Sequence, residues 1–66
     1  MIEIKLNSEL YSKANIKIAM DAYKDLACIQ MDTRGEYYIL QFADTKYDES
    51  RTIKEFENYL VGLENM

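Results

Sequence analysis

The segment Glu36-Tyr37-Tyr38-Ile39-Leu40-Gln41-Phe42-Ala43 decides the fold of this chain. It is rich in aromatic and branched side chains and carries one charge, at its first residue. Successive side chains of an extended backbone point to opposite faces, so both faces here carry apolar groups: Tyr38, Leu40 and Phe42 on one, and Tyr37 and Ile39 on the other. Such a pattern is typical of the middle of a sheet. We therefore predict a central strand, covered on one face and partly covered on the other.

Two further segments have the pattern of strands that flank the central one. Apolar residues alternate with polar residues from Ile2 to Asn7, which predicts a half-buried first strand. A short strand is also expected from Ala27 to Asp32. The sequence Asp32-Thr33-Arg34-Gly35 that follows is typical of a tight turn, because Gly35 adopts a positive φ at little cost. We therefore expect a hairpin between this strand and the central strand.

Two helices are predicted from apolar residues that recur at steps of three and four. The first runs from about Lys13 to Leu26, with Ser12 as a good N-cap and Ser8 as a competing start. The second lies near the end of the chain, where either Asp48 or Ser50 can cap it. Its apolar stripe is formed by Ile53, Phe56, Leu60 and Leu63.

The predicted element order is β-α-β-β-α, a single α+β domain over residues 1–66. A crossover through the first helix makes the first two strands parallel, and the hairpin makes the third antiparallel to the second. Since the most apolar strand belongs in the middle, we predict the sheet order 1-3-2 with both helices on one face. This is a ferredoxin-like arrangement truncated by the loss of its fourth strand. The edge from Ile2 to Asn7 is left open, and an open edge is a template for another strand.

The side chains that these patterns point inward form the expected core. It consists of Ile4, Ile16, Ala19, Met20, Tyr23, Ile29, Tyr38, Leu40, Phe42, Ile53, Phe56 and Leu60. Tyr37 and Ile39 face the side of the sheet that two helices on the other face cannot cover. They predict either an apolar surface for a partner or a merely half-exposed sheet.

Composition and charge indicate a small globular domain and argue against a nucleic-acid partner. With 48% hydrophobic and 30% charged residues, the chain has ordinary globular proportions. A domain of 66 residues buries only about 60% of the surface of its unfolded chain, so a partner or a second copy would help its stability. The net charge is -4, and all of the excess lies in residues 36–66, with seven acids against three bases. Because phosphate binding needs clustered Lys and Arg, we expect no nucleic-acid partner.

The single cysteine and the N-terminal pattern bear on the compartment. One cysteine, Cys28, excludes an internal disulfide and suits a reducing environment. Neither a signal peptide nor a long apolar run is visible, so we expect a cytoplasmic protein with no membrane partner.

Catalytic chemistry is hard to assemble from the residues present. The chain has no His and no paired Cys, and it has no Gly-rich phosphate loop. Cys28 lacks the base or co-ligands that a nucleophile or metal site requires. The carboxylates Asp44, Asp48 and Glu49 do not have the spacing of a calcium loop. We therefore expect no catalytic residue, no cofactor site and no metal site.

Short motifs carry a resemblance to a known family. They are Tyr11-Ser12 before the first helix, Ala19 and Tyr23 within it, Tyr38 in the central strand, and Glu55-Phe56-x-Asn58-Tyr59-Leu60 in the last helix. With these residues the chain resembles the HxsD-like accessory proteins of His-Xaa-Ser peptide systems. The resemblance implies a non-catalytic partner of radical S-adenosylmethionine (SAM) enzymes that modify a ribosomally made peptide. The implied partners are the precursor peptide, the radical SAM maturase, or both.

Together, the open edge and the resemblance predict where a peptide or partner would bind. The residues are Ile2, Glu3, Ile4, Lys5, Leu6, Asn7, Tyr37, Ile39, Glu55, Asn58 and Tyr59. Two alternatives stay open. One is a small structural or interaction domain that forms a homodimer through its sheet edges. The other is a subunit that supplies residues to another protein's active site.

Overall fold

A computed structural model describes residues 2–66 and has the predicted order of elements. The elements are β1 (Ile2–Asn7), α1 (Lys13–Ala22), β2 (Cys28–Arg34), β3 (Tyr37–Ala43) and α2 (Glu49–Glu64). The predicted β-α-β-β-α order is thereby confirmed.

The three strands form one sheet in the order β1-β3-β2, as predicted. Both outer strands run antiparallel to β3, so β1 and β2 are parallel to each other. The register places Leu40 between Ile4 on one side and Met31 on the other. These three side chains share one face, because directly opposed residues of neighbouring strands point the same way. The sheet is that of a ferredoxin-like fold without the fourth strand.

The hairpin turn lies further along the chain than the sequence predicts. The predicted turn began at Asp32, but β2 continues to Arg34, which pairs with Tyr37. Only Gly35 and Glu36 remain between the strands, and Gly35 has a φ of 58°. A two-residue hairpin loop with glycine at a positive φ in its first position matches the right-handed twist of the flanking strands. The glycine therefore sets the turn, and Asp32 is left within the strand.

Each helix is capped by one of its predicted candidates, but α1 ends earlier than predicted. The Ser12 Oγ accepts a hydrogen bond from the Asn15 N–H at 3.1 Å. Asp48 rather than Ser50 caps α2, and its carboxylate accepts from the Arg51 N–H at 3.0 Å. The first helix stops at Ala22 instead of Leu26 because the chain continues as hydrogen-bonded turns, in which the Tyr23 carbonyl accepts from residues 26 and 27.

Both helices pack on the same face of the sheet. The buried cluster contains Leu6, Ile16, Ala19, Ala27, Leu40, Phe42, Ile53, Phe56 and Leu60. Several residues predicted for the core are only half-buried at its rim, namely Ile4, Met20, Tyr23, Ile29 and Tyr38. For Ile4 on β1 and Ile29 on β2 the reason is that an edge strand has a neighbouring strand on one side only. Leu6 and Ala27, which were not predicted for the core, are buried instead.

Aromatic packing joins α2 to the central strand. The Phe56 ring meets the Phe42 ring edge to face, with centroids 5.1 Å apart, and meets Tyr23 at 5.6 Å. Phe56 and Phe42 are both fully buried. Edge-to-face pairs of this kind add about 0.5–1.5 kcal/mol to the effect of burial alone. Phe56 therefore fastens the second helix to both the sheet and the end of α1.

Replacing Phe56 by Ala should lower the free energy of unfolding by about 3–5 kcal/mol, because it leaves a cavity at the centre of the core. For a domain of 66 residues this loss is a large part of a total stability of roughly 3–10 kcal/mol. Thermal or urea unfolding followed by circular dichroism measures the change. Glu57→Ala on the exposed side of the same helix is the control, with an expected effect within about 0.5 kcal/mol. If the two variants melt alike, α2 does not dock through Phe56.

The end of α2 is tied to the start of α1 by a carboxylate. The Glu64 Oε1 accepts hydrogen bonds from the Ser12 N–H at 2.6 Å and from the Asn15 Nδ2 at 3.0 Å. The bond from the Ser12 backbone, followed by that from Asn15, lowers the pKa of Glu64 below its ordinary value. Because α1 has no acidic residue in its own first turn, Glu64 supplies the negative charge that a helix N-terminus favours.

This contact should make stability depend on pH. A carboxyl whose pKa is lower in the folded protein stabilises the fold above its ordinary pKa, and the contribution is lost as the pH falls through the lowered pKa. Glu64→Gln should therefore melt at a lower temperature than the parent near neutral pH. The two melting temperatures should converge as the pH falls through the lowered pKa of Glu64, because the parent carboxyl then becomes protonated. A difference that is constant across this range would contradict the role of the charge.

Candidate functional site

The outer edge of β1 is the candidate site. Within residues 2–66, β1 is paired with β3 only and lies at the edge of the sheet. The Ser8 N–H donates to the Glu36 carbonyl at 2.9 Å, one step beyond the strand. Along an antiparallel strand, the backbone N–H and carbonyl groups of every second residue bond to one neighbouring strand, and those of the residues between them point away from it. The backbone groups of Ile4 and Leu6 are therefore directed to β3, and those of Glu3 and Lys5 are directed outward.

Asn7 limits the usable length of this edge. Its carbonyl accepts from the N–H groups of Leu10 and Tyr11, both at 3.0 Å. The side-chain Oδ1 of Asn7 also accepts from the Glu9 N–H at 2.8 Å. Asn7 was predicted as part of the binding edge, but its carbonyl belongs to the turn that follows β1. The outward carbonyls that remain for an added strand are therefore those of Glu3 and Lys5.

The two faces of β1 differ in chemistry. On the helix side Ile2 and Ile4 are half-buried, and Leu6 is buried in the core with 4% exposure. Leu6 was predicted as a binding residue, but its side chain is not accessible. Glu3 and Lys5 are exposed on the other face. An added strand would thus meet apolar side chains on one face and charges of both signs on the other.

Neighbouring side chains of β3 hold these charges in place. The Glu3 carboxylate accepts a hydrogen bond from the Gln41 Nε2 at 3.2 Å. The Lys5 Nζ lies 5.6 Å from the centre of the Tyr37 ring, within the range of a cation–π contact. Of the predicted site residues, the structure therefore brings Glu3, Lys5 and Tyr37 together on the helix-free face.

Tyr37 and Ile39 do not form an apolar surface together, which was one of the two alternatives predicted for this face. Tyr37 is 41% exposed, but Ile39 is only 2% exposed although no helix covers its face. The register sets Lys5 on one side of Ile39 and Asp32 on the other. The methylene chain of Lys5 is long enough to lie over a central residue from one side, whereas the side chain of Asp32 is too short to do the same. Ile39 therefore stabilises the sheet and offers nothing to a partner.

The predicted residues of α2 form a separate surface. Glu55, Asn58 and Tyr59 are all exposed on the helix layer, on the opposite side of the sheet from Glu3 and Lys5. The Tyr59 ring lies 5.8 Å from the Tyr23 ring. Burial raises the pKa of Tyr23, and the charge of Glu55 and then Tyr59 raise it further. Glu55 and Tyr59 are thus neighbours of Tyr23, and this surface is distinct from the β1 edge.

Sequence patterns did not predict a cleft beside the start of α2. It has a volume of about 410 Å³ and is lined by Leu26, Tyr47, Asp48, Arg51, Thr52 and Glu55. The Lys46 N–H donates to the Leu26 carbonyl at 2.8 Å and so holds two loops together there. Arg51 pairs with Glu55 at 3.1 Å, and the Asp48 carboxylate caps the helix. Arg51 and Glu55 are thus paired with each other, and Asp48 is engaged by the helix backbone. These bonds stabilise the start of α2, so we assign the cleft no binding role.

Among the described residues no group of three or more His, Cys, Asp or Glu could hold a metal ion. None of the helices in residues 2–66 combines the length and apolar character that a membrane span requires. No family model matches the chain, and no curated protein or solved structure matches it.

The burial of Ile39 and the exposure of Tyr37 can be tested with a matched pair of variants. Ile39→Ala should lower the free energy of unfolding by about 2–5 kcal/mol, because it removes buried methyl groups from the central strand. Tyr37→Ser should cost no more than about 1 kcal/mol, the range of an exposed cation–π contact. Denaturant unfolding of both variants measures the difference. Equal costs, or a larger cost for Tyr37→Ser, would mean that Ile39 is not covered.

Proposed function

We propose that this chain is a non-catalytic accessory protein of a ribosomal-peptide modification system. In this proposal it binds a precursor peptide, for its radical SAM maturase, as an extended strand added beside β1. Two supports are independent of each other: the resemblance to HxsD-like proteins and the geometry of the β1 edge. The observation that carries the binding mode is the Ser8–Glu36 hydrogen bond, because it fixes which backbone groups of β1 point outward.

The backbone of Glu3 and Lys5 would supply the affinity. Two outward-facing residues offer about four hydrogen bonds to an antiparallel strand, one N–H and one carbonyl each. These bonds are independent of the peptide's side chains, so they suit a partner whose sequence varies. A short edge predicts modest affinity, which fits a protein that must release the peptide after modification.

The side chains of β1 would select the peptide. Alternate residues of the added strand would lie beside Ile2 and Ile4 on the helix side, where apolar groups are preferred. The intervening residues would lie beside Glu3 and Lys5, where groups of opposite charge are preferred. The favoured peptide is therefore one that alternates apolar and charged side chains.

The maturase would have a different surface available. Glu55, Asn58 and Tyr59 are exposed on α2, away from the β1 edge. Tyr59 is 41% exposed, and tyrosine is frequent at protein interfaces because it combines an apolar ring with a polar end. Peptide and enzyme could then bind at the same time without overlap.

A proline scan of β1 tests strand addition. Lys5→Pro removes an N–H that points outward, so the domain should stay folded while peptide binding is lost. Ile4→Pro is the matched control, because it removes an N–H directed to β3 and should unfold the sheet. Circular dichroism measures folding, and fluorescence anisotropy with a labelled precursor peptide encoded beside this chain measures binding. Undiminished binding by a folded Lys5→Pro variant would rule out strand addition at this edge.

Amide exchange locates the bound peptide. With the same precursor peptide, new protection should centre on Glu3 and Lys5 and should be absent from α2. Protection confined to Glu55, Asn58 and Tyr59 would contradict the proposal and would make α2 the docking surface.

A further inference from the structure

We propose that β1 also pairs with β1 of a second copy of this chain, in one antiparallel register that sets Glu3 of each copy opposite Lys5 of the other. The dimer would occupy the same edge as the peptide, so self-association would regulate access to it. This regulatory role rests on the function proposed above, whereas the dimer itself rests only on the pattern of β1.

The backbone restricts the possible registers. A closed pair of identical strands has two-fold symmetry, which requires antiparallel pairing. The outward residues Glu3, Lys5 and Asn7 must face one another, because only they direct their backbone groups away from β3. Five registers satisfy this condition. They set Glu3 opposite Glu3, Glu3 opposite Lys5, Lys5 opposite Lys5, Lys5 opposite Asn7, or Asn7 opposite Asn7.

The side chains select one of these registers. Like charges directly opposite each other destabilise a strand pair, which disfavours Glu3 on Glu3 and Lys5 on Lys5. The registers centred nearer Asn7 shorten the overlap and engage a carbonyl that already accepts from Leu10 and Tyr11. Only Glu3 opposite Lys5 forms opposite-charge pairs, and symmetry forms two of them. Both residues are exposed on the same face.

The helix side of the strand favours the same register. Setting Glu3 opposite Lys5 places Ile4 opposite Ile4 of the second copy and Ile2 opposite Leu6. Ile2 and Ile4 are only half-buried in one copy and pack at the rim of the core. Pairing would therefore cover apolar surface on one face while it joins charges on the other.

The other sheet edge is less suited to a second copy. β2 directs the backbone of Ile29, Met31 and Thr33 outward, because the alternate residues bond to β3. The register that joins opposite charges there sets Asp32 opposite Arg34, and it brings Met31 against Gly35 in the hairpin turn. Only residues 32–34 could then pair, whereas β1 offers residues 2–6.

The interface would be small, so the dimer should be weak and reversible. A pairing of five residues per copy falls short of the roughly 800 Å² per partner that a stable interface buries. We therefore expect a monomer at low micromolar concentration and a dimer at much higher concentration.

Charge reversal tests the register. Glu3→Lys and Lys5→Glu should each weaken the dimer by roughly tenfold or more, since each change turns two attractive pairs into two repulsive ones. The double variant Glu3→Lys/Lys5→Glu should dimerise like the parent. An equimolar mixture of the two single variants should form a heterodimer, because Lys faces Glu in both pairs. Sedimentation equilibrium measures all four samples, and circular dichroism confirms that each is folded.

The outcomes separate the dimer from the proposed function. Single variants that dimerise like the parent, or a mixture that does not associate, would overturn this register. A monomeric parent at high concentration would overturn the dimer, yet peptide protection at Glu3 and Lys5 would leave the proposed function intact. Dimerisation in this register without any peptide protection would overturn the proposed function and leave the dimer. If both hold, adding the precursor peptide should dissociate the dimer.

Discussion

The contact between the central strand and the second helix supports the rest of the structure. Leu40 and Phe42 of β3 are fully buried, and Phe42 packs edge to face against Phe56. Because β3 also pairs with both outer strands, this one contact joins the sheet to the helix layer. With both helices committed to one face, the other face is covered only by side chains of the sheet itself. The exposed charges Glu3 and Lys5 of β1 follow from this constraint, because they lie on the face that the helices leave open.

Much of the fold could be predicted because its signals are local. The N-caps Ser12 and Asp48 and the central position of β3 follow from hydrogen-bonding capacity and apolar period within a few residues. The boundaries of α1 and β2 were less predictable, because turn hydrogen bonds after Tyr23 and the two-residue loop at Gly35 depend on backbone geometry. The residues at both places are compatible with several turn types, so the sequence alone does not say where the helix ends or where the strand ends.

The candidate site was predicted in part. The open edge follows from the strand order, and the strand order from the composition of β3. The burial of Ile39 could not be predicted, because it depends on which residues of the outer strands lie beside it, and that requires the register. The role of Asn7 in the turn was missed for a related reason, since its carbonyl is engaged by residues that follow the strand. The cleft beside α2 was missed because it is assembled from separate segments of the chain. The only sequence signal near this cleft is the i, i+4 spacing of Arg51 and Glu55, which is typical of an ion pair on a helix.

The alternation of backbone direction along β1, with Ile4 and Leu6 facing β3 and Glu3 and Lys5 facing outward, determines the binding edge. Backbone amide exchange of the dilute protein without peptide tests this alternation most directly. We predict slow exchange at Ile4 and Leu6, whose N–H groups are directed to β3, and fast exchange at Glu3 and Lys5, whose N–H groups are directed outward. Slow exchange at Glu3 and Lys5 with fast exchange at Ile4 and Leu6, or uniform protection of all four amides in the monomer, would contradict it.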